Sequence, residues 1–230
     1  DSGYSSEGKV LYKGRPIGKS DLLVFQIGIL CNNANLNFHL KRTIETVIGD
    51  PTESALLISA EKAGINHEAF RESWKRVKEE PFDVIRKMMS TVNQSPRDKR
   101  LYVFTKGAPE MLIDKCNRVL MSGKIKKLDS RLKKKILEKN DEFSSRALRV
   151  LGFAFKEYNK LERVEDKLIF IGLQAMIDPP RVEVKESIKK CNEAGIRVIM
   201  ITGDNRLTAK AIAKEIGIKG EAMNGLDFSK

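Results

Sequence analysis

Two successive prolines, Pro179 and Pro180, divide this 230-residue chain into segments with different hydrophobic patterns. Proline fixes φ, lacks an amide donor and biases the preceding residue toward extended conformations, so the pair predicts a stiff connection. Before it, from Val10 to about Ile177, helical patterns mix with strand patterns linked mostly by turns. This segment is expected to be an α+β domain with an antiparallel sheet and flanking helices.

The segment after the prolines has an α-β-α pattern. Apolar spacing predicts a helix over 182–193, a buried strand over 196–201 and a second helix over 207–216. Such alternation is typical of a parallel sheet. The sequence therefore predicts three parts, namely a first domain at 1–177, a hinge at 178–181 and an incomplete α/β domain at 182–230.

Composition limits the classes of protein to consider. A chain that is 41% hydrophobic has enough apolar residues for a globular core. The longest apolar run, Leu168 to Ile177, contains Gly172 and Gln174 and falls short of the roughly 20 residues that cross a bilayer. The chain starts with polar residues and has no initiating methionine. We therefore expect a soluble piece of a larger protein without a signal peptide.

The cysteines and histidines do not form a recognisable site. Cys31, Cys116 and Cys191 are far apart in sequence, and His39 and His67 each stand alone. Neither the spacing of a zinc site nor that of a disulfide scaffold is present. We expect reduced thiols in the core, structural histidines and no metal ligands from these residues.

The net charge of +12 is concentrated between Lys124 and Lys135. Leu128, Leu132 and Ile136 have helical spacing in this stretch, so it is predicted to be an amphipathic helix with a solvated basic face. A basic face also attracts phosphates, nucleic acid or anionic lipid. No aromatic residue lies among these charges, which disfavours single-strand binding. A basic nucleic-acid-binding module therefore remains an alternative only.

The string Lys106-Gly107-Ala108-Pro109-Glu110 joins an apolar strand pattern to a predicted helix. Proline suits the first position of a helix. A lysine there adds a full positive charge to a helix start, where free amide groups already favour anions. This arrangement favours phosphate binding, and a plain strand-to-helix turn with a solvated lysine is the alternative that the residues alone leave open.

Two further strings suggest site positions. In Gly49-Asp50-Pro51-Thr52-Glu53, Asp50 is a predicted helix N-cap, and Glu53 is placed to reach back to the cap amide. The predicted strand at 196–201 ends in Thr202, Gly203 and Asp204, and doubly wound sheets bind ligands at such strand ends. Thr202 can donate a hydrogen bond to a phosphoryl oxygen, and Gly203 allows a close turn.

Three strings in this order resemble the cytoplasmic part of a cation-transporting P-type ATPase of the calcium-pump kind, type II. They are Lys106-Gly107-Ala108-Pro109-Glu110, Asp178-Pro179-Pro180-Arg181 and Ile201-Thr202-Gly203-Asp204-Asn205. The resemblance covers nearly the whole chain. It implies a nucleotide-binding domain followed by part of a haloacid-dehalogenase-like phosphorylation domain. A sodium or proton pump of the same type is the alternative within the family.

The resemblance also implies ligands, partners and location. ATP and Mg²⁺ are the expected ligands. The expected partners are the remaining phosphorylation, actuator and transmembrane parts of a parent pump, and no nucleic acid is expected. The parent would lie in a membrane with this portion cytoplasmic, and the isolated chain would be a monomer.

The resemblance assigns nucleotide contacts to particular positions. Lys106 and Gly107 line the ATP pocket, Glu53 faces the adenine unless it only caps its helix, and Phe82 stacks on the adenine. Lys87, five residues after Phe82, approaches the phosphates together with Lys106. Residues five apart in a regular strand point to opposite faces, so this assignment requires a turn or bulge between them.

The remaining positions lie further along the chain. Arg149 matches the arginine that contacts the nucleotide phosphates, and Arg146 is close enough in sequence to act instead. Asp178 matches the hinge aspartate facing the ribose and phosphates. Catalytic positions are expected at Thr202, Gly203 and Asp204.

The nucleophile of the family is not in this chain. The family forms an aspartyl-phosphate on the aspartate of a D-K-T-G-T string, and that string does not occur here. We therefore expect an ATP-binding fragment that does not turn over ATP. The resemblance also implies that the first strand of the phosphorylation domain is missing beside residues 196–201, so we expect faster amide exchange after Pro180 than before it. A scaffold without any ligand is the remaining alternative.

Overall fold

The computed structural model describes residues 9–12, 15–16, 22–38, 44–177, 182–203 and 206–223. Its helices are α1 (Leu23–Leu30), α2 (Pro51–Lys62), α3 (His67–Ser73), α4 (Pro109–Leu112), α5 (Ser130–Ser144), α6 (Val182–Glu193) and α7 (Arg206–Ile216). Its strands are β1 (Leu11–Tyr12), β2 (Arg15–Pro16), β3 (Asn35–Phe38), β4 (Ile44–Ile48), β5 (Lys75–Asp83), β6 (Met88–Gln94), β7 (Leu101–Gly107), β8 (Cys116–Met121), β9 (Lys124–Lys127), β10 (Arg149–Glu157) and β11 (Leu168–Met176). These elements confirm the α+β class.

The described residues belong to two compact units. The first lies within Asp1–Lys133 and Leu151–Gln174, and the second within Lys134–Val150 and Ala175–Lys230. The hinge residues 178–181 lie outside the described part of the chain. The domain limits expected from the sequence therefore stay a prediction.

A seven-stranded sheet forms the first unit, in the order β5-β6-β7-β10-β11-β8-β9. The pairs β5–β6, β6–β7, β7–β10 and β8–β9 are antiparallel, but β11 runs parallel to β8. The expectation of a purely antiparallel sheet is therefore wrong at this pair. The chain between β8 and β11, which includes β9, α5 and β10, supplies the long connection that parallel neighbours require.

Apolar burial holds the first unit together in two places. Phe153, Leu168 and Leu112 are fully buried in and beside the sheet, and burying one such side chain stabilises the fold by about 1.5–3 kcal/mol. A second cluster lies among α1, α2 and the β3–β4 pair and includes Ile29 and Leu57. The edge strands β5 and β9 are mostly exposed, whereas β6 is buried along almost its whole length.

The basic stretch is not one helix. Lys124–Lys127 forms strand β9, and the helix begins only at Ser130. Ser122 and Gly123 both have positive φ, 49° and 74°, and Met121 lies opposite Lys124. A two-residue turn of this kind closes a tight hairpin between β8 and β9. Because Lys124–Lys127 pairs in this hairpin, the helix cannot extend back over these lysines.

In the second unit, α6 and α7 form as predicted, but residues 196–201 are not a strand. Ile196, Ile199 and Ile201 are 57%, 71% and 94% exposed, so the expected buried strand is wrong. A buried strand needs hydrogen-bonded neighbours, and no strand is found among the described residues between 182 and 223. The haloacid-dehalogenase-like α/β arrangement is therefore not confirmed. Within the described ranges, no helix is both long and apolar enough to cross a membrane.

Candidate functional site

Four predicted site residues lie at one end of the seven-stranded sheet, where β5 ends, β6 begins and β7 ends. The register pairs Asp83 with Met88, and Met88 with Gly107. The predicted strand-to-helix turn is confirmed, because Gly107 ends β7 and Pro109 is the first residue of α4. The site residues at this sheet end are Phe82, Lys87, Lys106 and Gly107.

Lys106 and Glu53 form a nearly buried ion pair. The Lys106 Nζ lies 2.5 Å from the Glu53 Oε1, and their side chains are 9% and 15% exposed. Asp50 caps α2 as predicted by accepting from the Thr52 amide, and Pro51 starts the helix. The Glu53 carboxylate accepts from the Lys106 ammonium and from the Asn33 amide, and not from the cap amide to which it was expected to reach back.

The loop after α1 is held in place around Glu53. Asn32 donates from its side-chain amide to the carbonyls of Gly28 and Glu53, both at 2.9 Å. The Arg76 guanidinium donates to the carbonyls of Leu30 and Asn32. These bonds fix the loop, so the Asn33 amide stays directed at the Glu53 carboxylate. No sequence pattern predicted Asn32 or Arg76, since their partners are distant in the chain.

Cys31 is buried close to the ion pair and is not reactive in character. Its thiol donates to the Met89 carbonyl at 3.3 Å. Burial raises the pKa of Cys31, although the neighbouring Lys106 charge opposes the rise. The thiol therefore stays protonated, which agrees with the expected reduced core cysteine.

Gly107 is required by the close approach of two strands. A Cβ at this position would lie 2.6 Å from both the Lys87 carbonyl oxygen and the Met88 Cβ. The Ala108 amide donates to the same Lys87 carbonyl at 2.9 Å. The glycine thus brings the end of β7 against the residue that follows the β5–β6 turn.

Residues 84–87 form the turn that the Phe82 and Lys87 assignment requires. Asp83 accepts from the amides of Ile85 and Arg86, and its carbonyl accepts from the Lys87 amide. Lys87 has a positive φ of 50°. Phe82 is 61% exposed, which excludes the core role usual for a phenylalanine in a strand. Asp83, a residue that favours such turns, was the available sequence signal.

A polar chain supports this turn from the other side. The Arg86 guanidinium pairs with the Glu165 carboxylate and donates to the Pro81 carbonyl at 2.7 Å. Ser90 donates to the same Glu165 oxygen at 2.9 Å and bonds to the Thr105 hydroxyl at 2.9 Å. The hydrogen bond to Glu165 raises the pKa of Arg86. Sequence reasoning missed Arg86 and Glu165, which are 79 residues apart.

The remaining predicted positions belong to the second unit or lie outside the described residues. Arg149 begins β10, is exposed and belongs to the second unit, as does the exposed Arg146. Thr202 and Gly203 are exposed in the irregular stretch between α6 and α7. Asp178 and Asp204 lie outside the described residues.

Comparison with known proteins identifies the family. A family profile described as the cytoplasmic domain N of P-type ATPases matches residues 23–183. The chain belongs to this family. Its similarity to calcium-transporting ATPase 1 of Bacillus cereus is 46% identity over 200 residues, covering 85% of this chain and 22% of the relative.

Other relatives agree with this N-domain assignment. Calcium-transporting ATPase 1 of Lactococcus lactis is 43% identical over 86% of this chain and 22% of its own length. The sodium/potassium-transporting ATPase subunit alpha-3 of Gallus gallus is 39% identical over 76% of this chain and 19% of its own length. The chain thus spans about a fifth of the length of these relatives and is a calcium-pump-like N domain.

Proposed function

We propose that this chain binds ATP at the end of the seven-stranded sheet. The observation that carries the proposal is the nearly buried Lys106–Glu53 pair next to a hairpin turn flanked by an exposed Phe82. An aromatic ring left in solvent and a shielded donor–acceptor pair suit a planar heterocycle with polar edges. Membership of the N-domain family supports ATP as that ligand.

Lys106 and Glu53 are proposed to contact the base. Because their charged atoms are 2.5 Å apart, they would meet the same end of one ATP molecule. This differs from the expectation that Glu53 faces adenine while Lys106 faces the phosphates. Each retains bonding capacity, since an ammonium has three donors and each carboxylate oxygen accepts more than one bond. Phe82 would stack on the ring of the same base.

This pair would favour adenine over guanine. The Watson–Crick edge of adenine carries an amino donor beside a ring-nitrogen acceptor, whereas guanine carries a carbonyl acceptor beside a ring N–H donor. Glu53 can accept from the adenine amino group while Lys106 donates to the ring nitrogen. With the phosphates fixing the direction of the nucleotide, guanine would present its carbonyl to the Glu53 carboxylate, and GTP should bind more weakly.

The phosphates are proposed to extend toward Lys87, with Arg149 as a further candidate. Lys87 is exposed, follows the turn and carries a charge suited to phosphate. No three metal-binding side chains meet in the described ranges, so these residues offer no protein cage for Mg²⁺. A Mg²⁺ ion would be held by the triphosphate itself and would neutralise part of its charge.

The test is to titrate the chain separately with ATP, GTP and tripolyphosphate and to measure binding by calorimetry or NMR. We expect ATP to bind with a Kd on the order of 0.1–1 mM, equivalent to about −4 to −5.5 kcal/mol. Phe82→Ala should weaken ATP binding by about 1–3 kcal/mol. Tripolyphosphate binding should not change in that variant, because it has no base.

A matched control is Leu161→Ala, which removes an apolar side chain that is 94% exposed, away from the proposed site. ATP affinity should be unaltered in this variant. Equal binding of ATP and tripolyphosphate, or equal losses in Phe82→Ala and Leu161→Ala, would reject the base-stacking site.

In the intact pump the bound nucleotide is proposed to donate its γ-phosphate to an aspartate outside this chain. The D-K-T-G-T string is not in the sequence, and Thr202, Gly203, Asp204 and Asp178 are proposed to assist the transfer after domain closure. Calcium is the proposed cargo, because two of the relatives described above carry that name. The isolated chain should form no acid-stable phosphoenzyme with labelled ATP, and formation of one would refute this proposal.

A further inference from the structure

The geometry points to Arg86 and Glu165 as a positioning pair for the nucleotide: their ion pair fixes the 84–87 turn and so the separation of Phe82 and Lys87. This inference rests on the proposed ATP site. It assigns a function to two residues that contact each other, not the base or the phosphates.

The turn alone has few contacts of its own. Val84 and Ile85 are 74% and 81% exposed, so their side chains contribute little packing to the fold. Its internal bonds are those that Asp83 accepts from Ile85, Arg86 and Lys87. A four-residue turn held only by such bonds at an edge hairpin would exchange between conformations on a fast timescale.

Arg86 connects this turn to the rest of the unit. One of its terminal nitrogens donates to Glu165, and the other donates to the Pro81 carbonyl, one residue before Phe82. Glu165 is only 13% exposed, and its Oε1 also accepts from Ser90 in β6. The guanidinium thus joins both sides of the turn to a carboxylate that the sheet itself holds. A lysine carries its donors on a single nitrogen and lacks the planar fork, so it does not reproduce the geometry of these two contacts.

The consequence is preorganisation. The backbone that carries the ring proposed to stack on the base and the ammonium proposed to meet the phosphates is already held in place before ATP arrives. Ordering a mobile side chain during binding lowers affinity, so loss of the pair should weaken ATP binding without removing any contact to ATP. The effect should act through Phe82 and Lys87 only.

The test compares Arg86→Gln in two backgrounds of the full chain, by NMR titration with ATP. In the unaltered background we expect about a 3- to 10-fold loss of affinity, the usual cost of ordering one or two side chains. In the Lys87→Ala background, where the retained Phe82 ring keeps ATP binding measurable, Arg86→Gln should cause a smaller loss than in the unaltered chain. Glu165→Gln should give the same result, and combining it with Arg86→Gln should add nothing, as for two residues that act as one unit.

Controls separate positioning from other roles. Arg100→Gln removes the pairing of Arg100 with Glu157, an exposed ion pair at the opposite end of β7, and should leave ATP affinity unchanged. Arg86→Lys should recover only part of the affinity. Melting curves of every variant show whether the titrated protein is folded. If Arg86→Gln does not fold, Glu165→Gln replaces it as the variant that breaks the ion pair.

Each outcome decides the inference. An equal loss on adding Arg86→Gln to either background means that Arg86 contacts the phosphates directly, which overturns the positioning role. An unchanged affinity in Arg86→Gln also overturns it while leaving the ATP site intact. Absence of ATP binding by the unaltered chain instead rejects the proposed function and the inference together.

Discussion

Two lysines of the seven-stranded sheet are almost removed from solvent, yet their partners differ. Lys106 in β7 pairs with Glu53, whose side chain is 15% exposed and comes from the first turn of α2. Lys156 in β10 is 3% exposed and bonds to Glu162, which is 41% exposed, and to the Arg163 carbonyl. The first pair joins distant parts of the chain, and the second joins neighbours six residues apart.

This difference distinguishes the structural charge of Lys156 from the charge of Lys106, which we propose to meet a ligand. Lys156 has a backbone carbonyl among its partners, so its bonds attach β10 to the segment before β11. Lys106 depends on a single carboxylate, beside an exposed aromatic ring in the next hairpin. A buried charge that has one side-chain partner at the end of a sheet is therefore the better candidate for recognition.

The largest effect is expected from removing the two carboxylates. Glu53→Ala leaves the Lys106 ammonium shielded and unpaired and should lower the free energy of unfolding by about 3 kcal/mol. Glu162→Ala should cost less than about 1 kcal/mol, since Glu162 is half-exposed and the Arg163 carbonyl remains. Urea unfolding followed by Trp74 fluorescence measures both, because the only tryptophan packs against Phe104 in the first unit. Equal losses of unfolding free energy in Glu53→Ala and Glu162→Ala would contradict the proposed difference between Lys106 and Lys156.

A somewhat smaller effect is expected at Gly107. Gly107→Ala forces a Cβ to within 2.6 Å of the Lys87 carbonyl oxygen and should cost about 1–3 kcal/mol of stability by overpacking. It should also weaken ATP binding, because it displaces Lys87. Gly172→Ala in β11 is the control, since no heavy atom lies within 4 Å of its added Cβ. Similar melting temperatures for Gly107→Ala and Gly172→Ala would contradict the close approach of Gly107 to Lys87 and Met88.

ATP affinity provides the next contrast between the lysines. Lys106→Met should weaken ATP binding by about 1.5 kcal/mol, the value of a hydrogen bond from a charged donor. Lys156→Met should leave ATP affinity within about twofold of the original, a difference of ~0.4 kcal/mol. Calorimetric titration of folded protein measures both. A comparable loss in Lys156→Met would show that general destabilisation, and not contact with the base, accounts for the effect.

The sequence predicted local features of the fold and site well. The Asp50 cap, the helix start at Pro109 and the hairpin between β6 and β7 all depend on residues close together in the chain. The turn after Asp83 was required by the joint assignment of Phe82 and Lys87, although no turn signal was recognised at Val84 and Ile85. The turn at Ser122-Gly123 was missed although its residue types favour turns, because apolar spacing was given more weight.

Contacts between distant residues could not be predicted in the same way. Glu53 and Lys106 are 53 residues apart, and nothing in either local string indicates the other. Residues 196–201 show a different error, in which the sequence predicted an element that the structure does not contain. Their apolar pattern predicts a buried strand, but a strand becomes buried only when neighbours supply hydrogen bonds and cover its faces, and the described residues supply none.

The smallest effect concerns the thiol beside Lys106. Burial raises the pKa of Cys31 above its ordinary value of 9.0, so the folded state retains a proton that the unfolded state loses. The free energy of unfolding is therefore unaffected well below pH 9 and decreases as the pH rises, by no more than about 0.4 kcal/mol at pH 9, where half of the unfolded thiols are ionised. Unfolding measured from pH 8 to 10 should show a shallower decrease for Cys31→Ala. An unchanged pH dependence would mean that the thiol ionises alike in both states.

Both edges of the sheet discourage self-association. β5 carries Lys75 and Lys78 with Pro81, and β9 is formed by Lys-Ile-Lys-Lys. Charged edge strands and a proline without an amide donor prevent a second sheet from adding to the first. The Phe82 ring can therefore stay open at the end of an edge strand, as the proposed nucleotide site requires, without that edge offering a template for a second sheet.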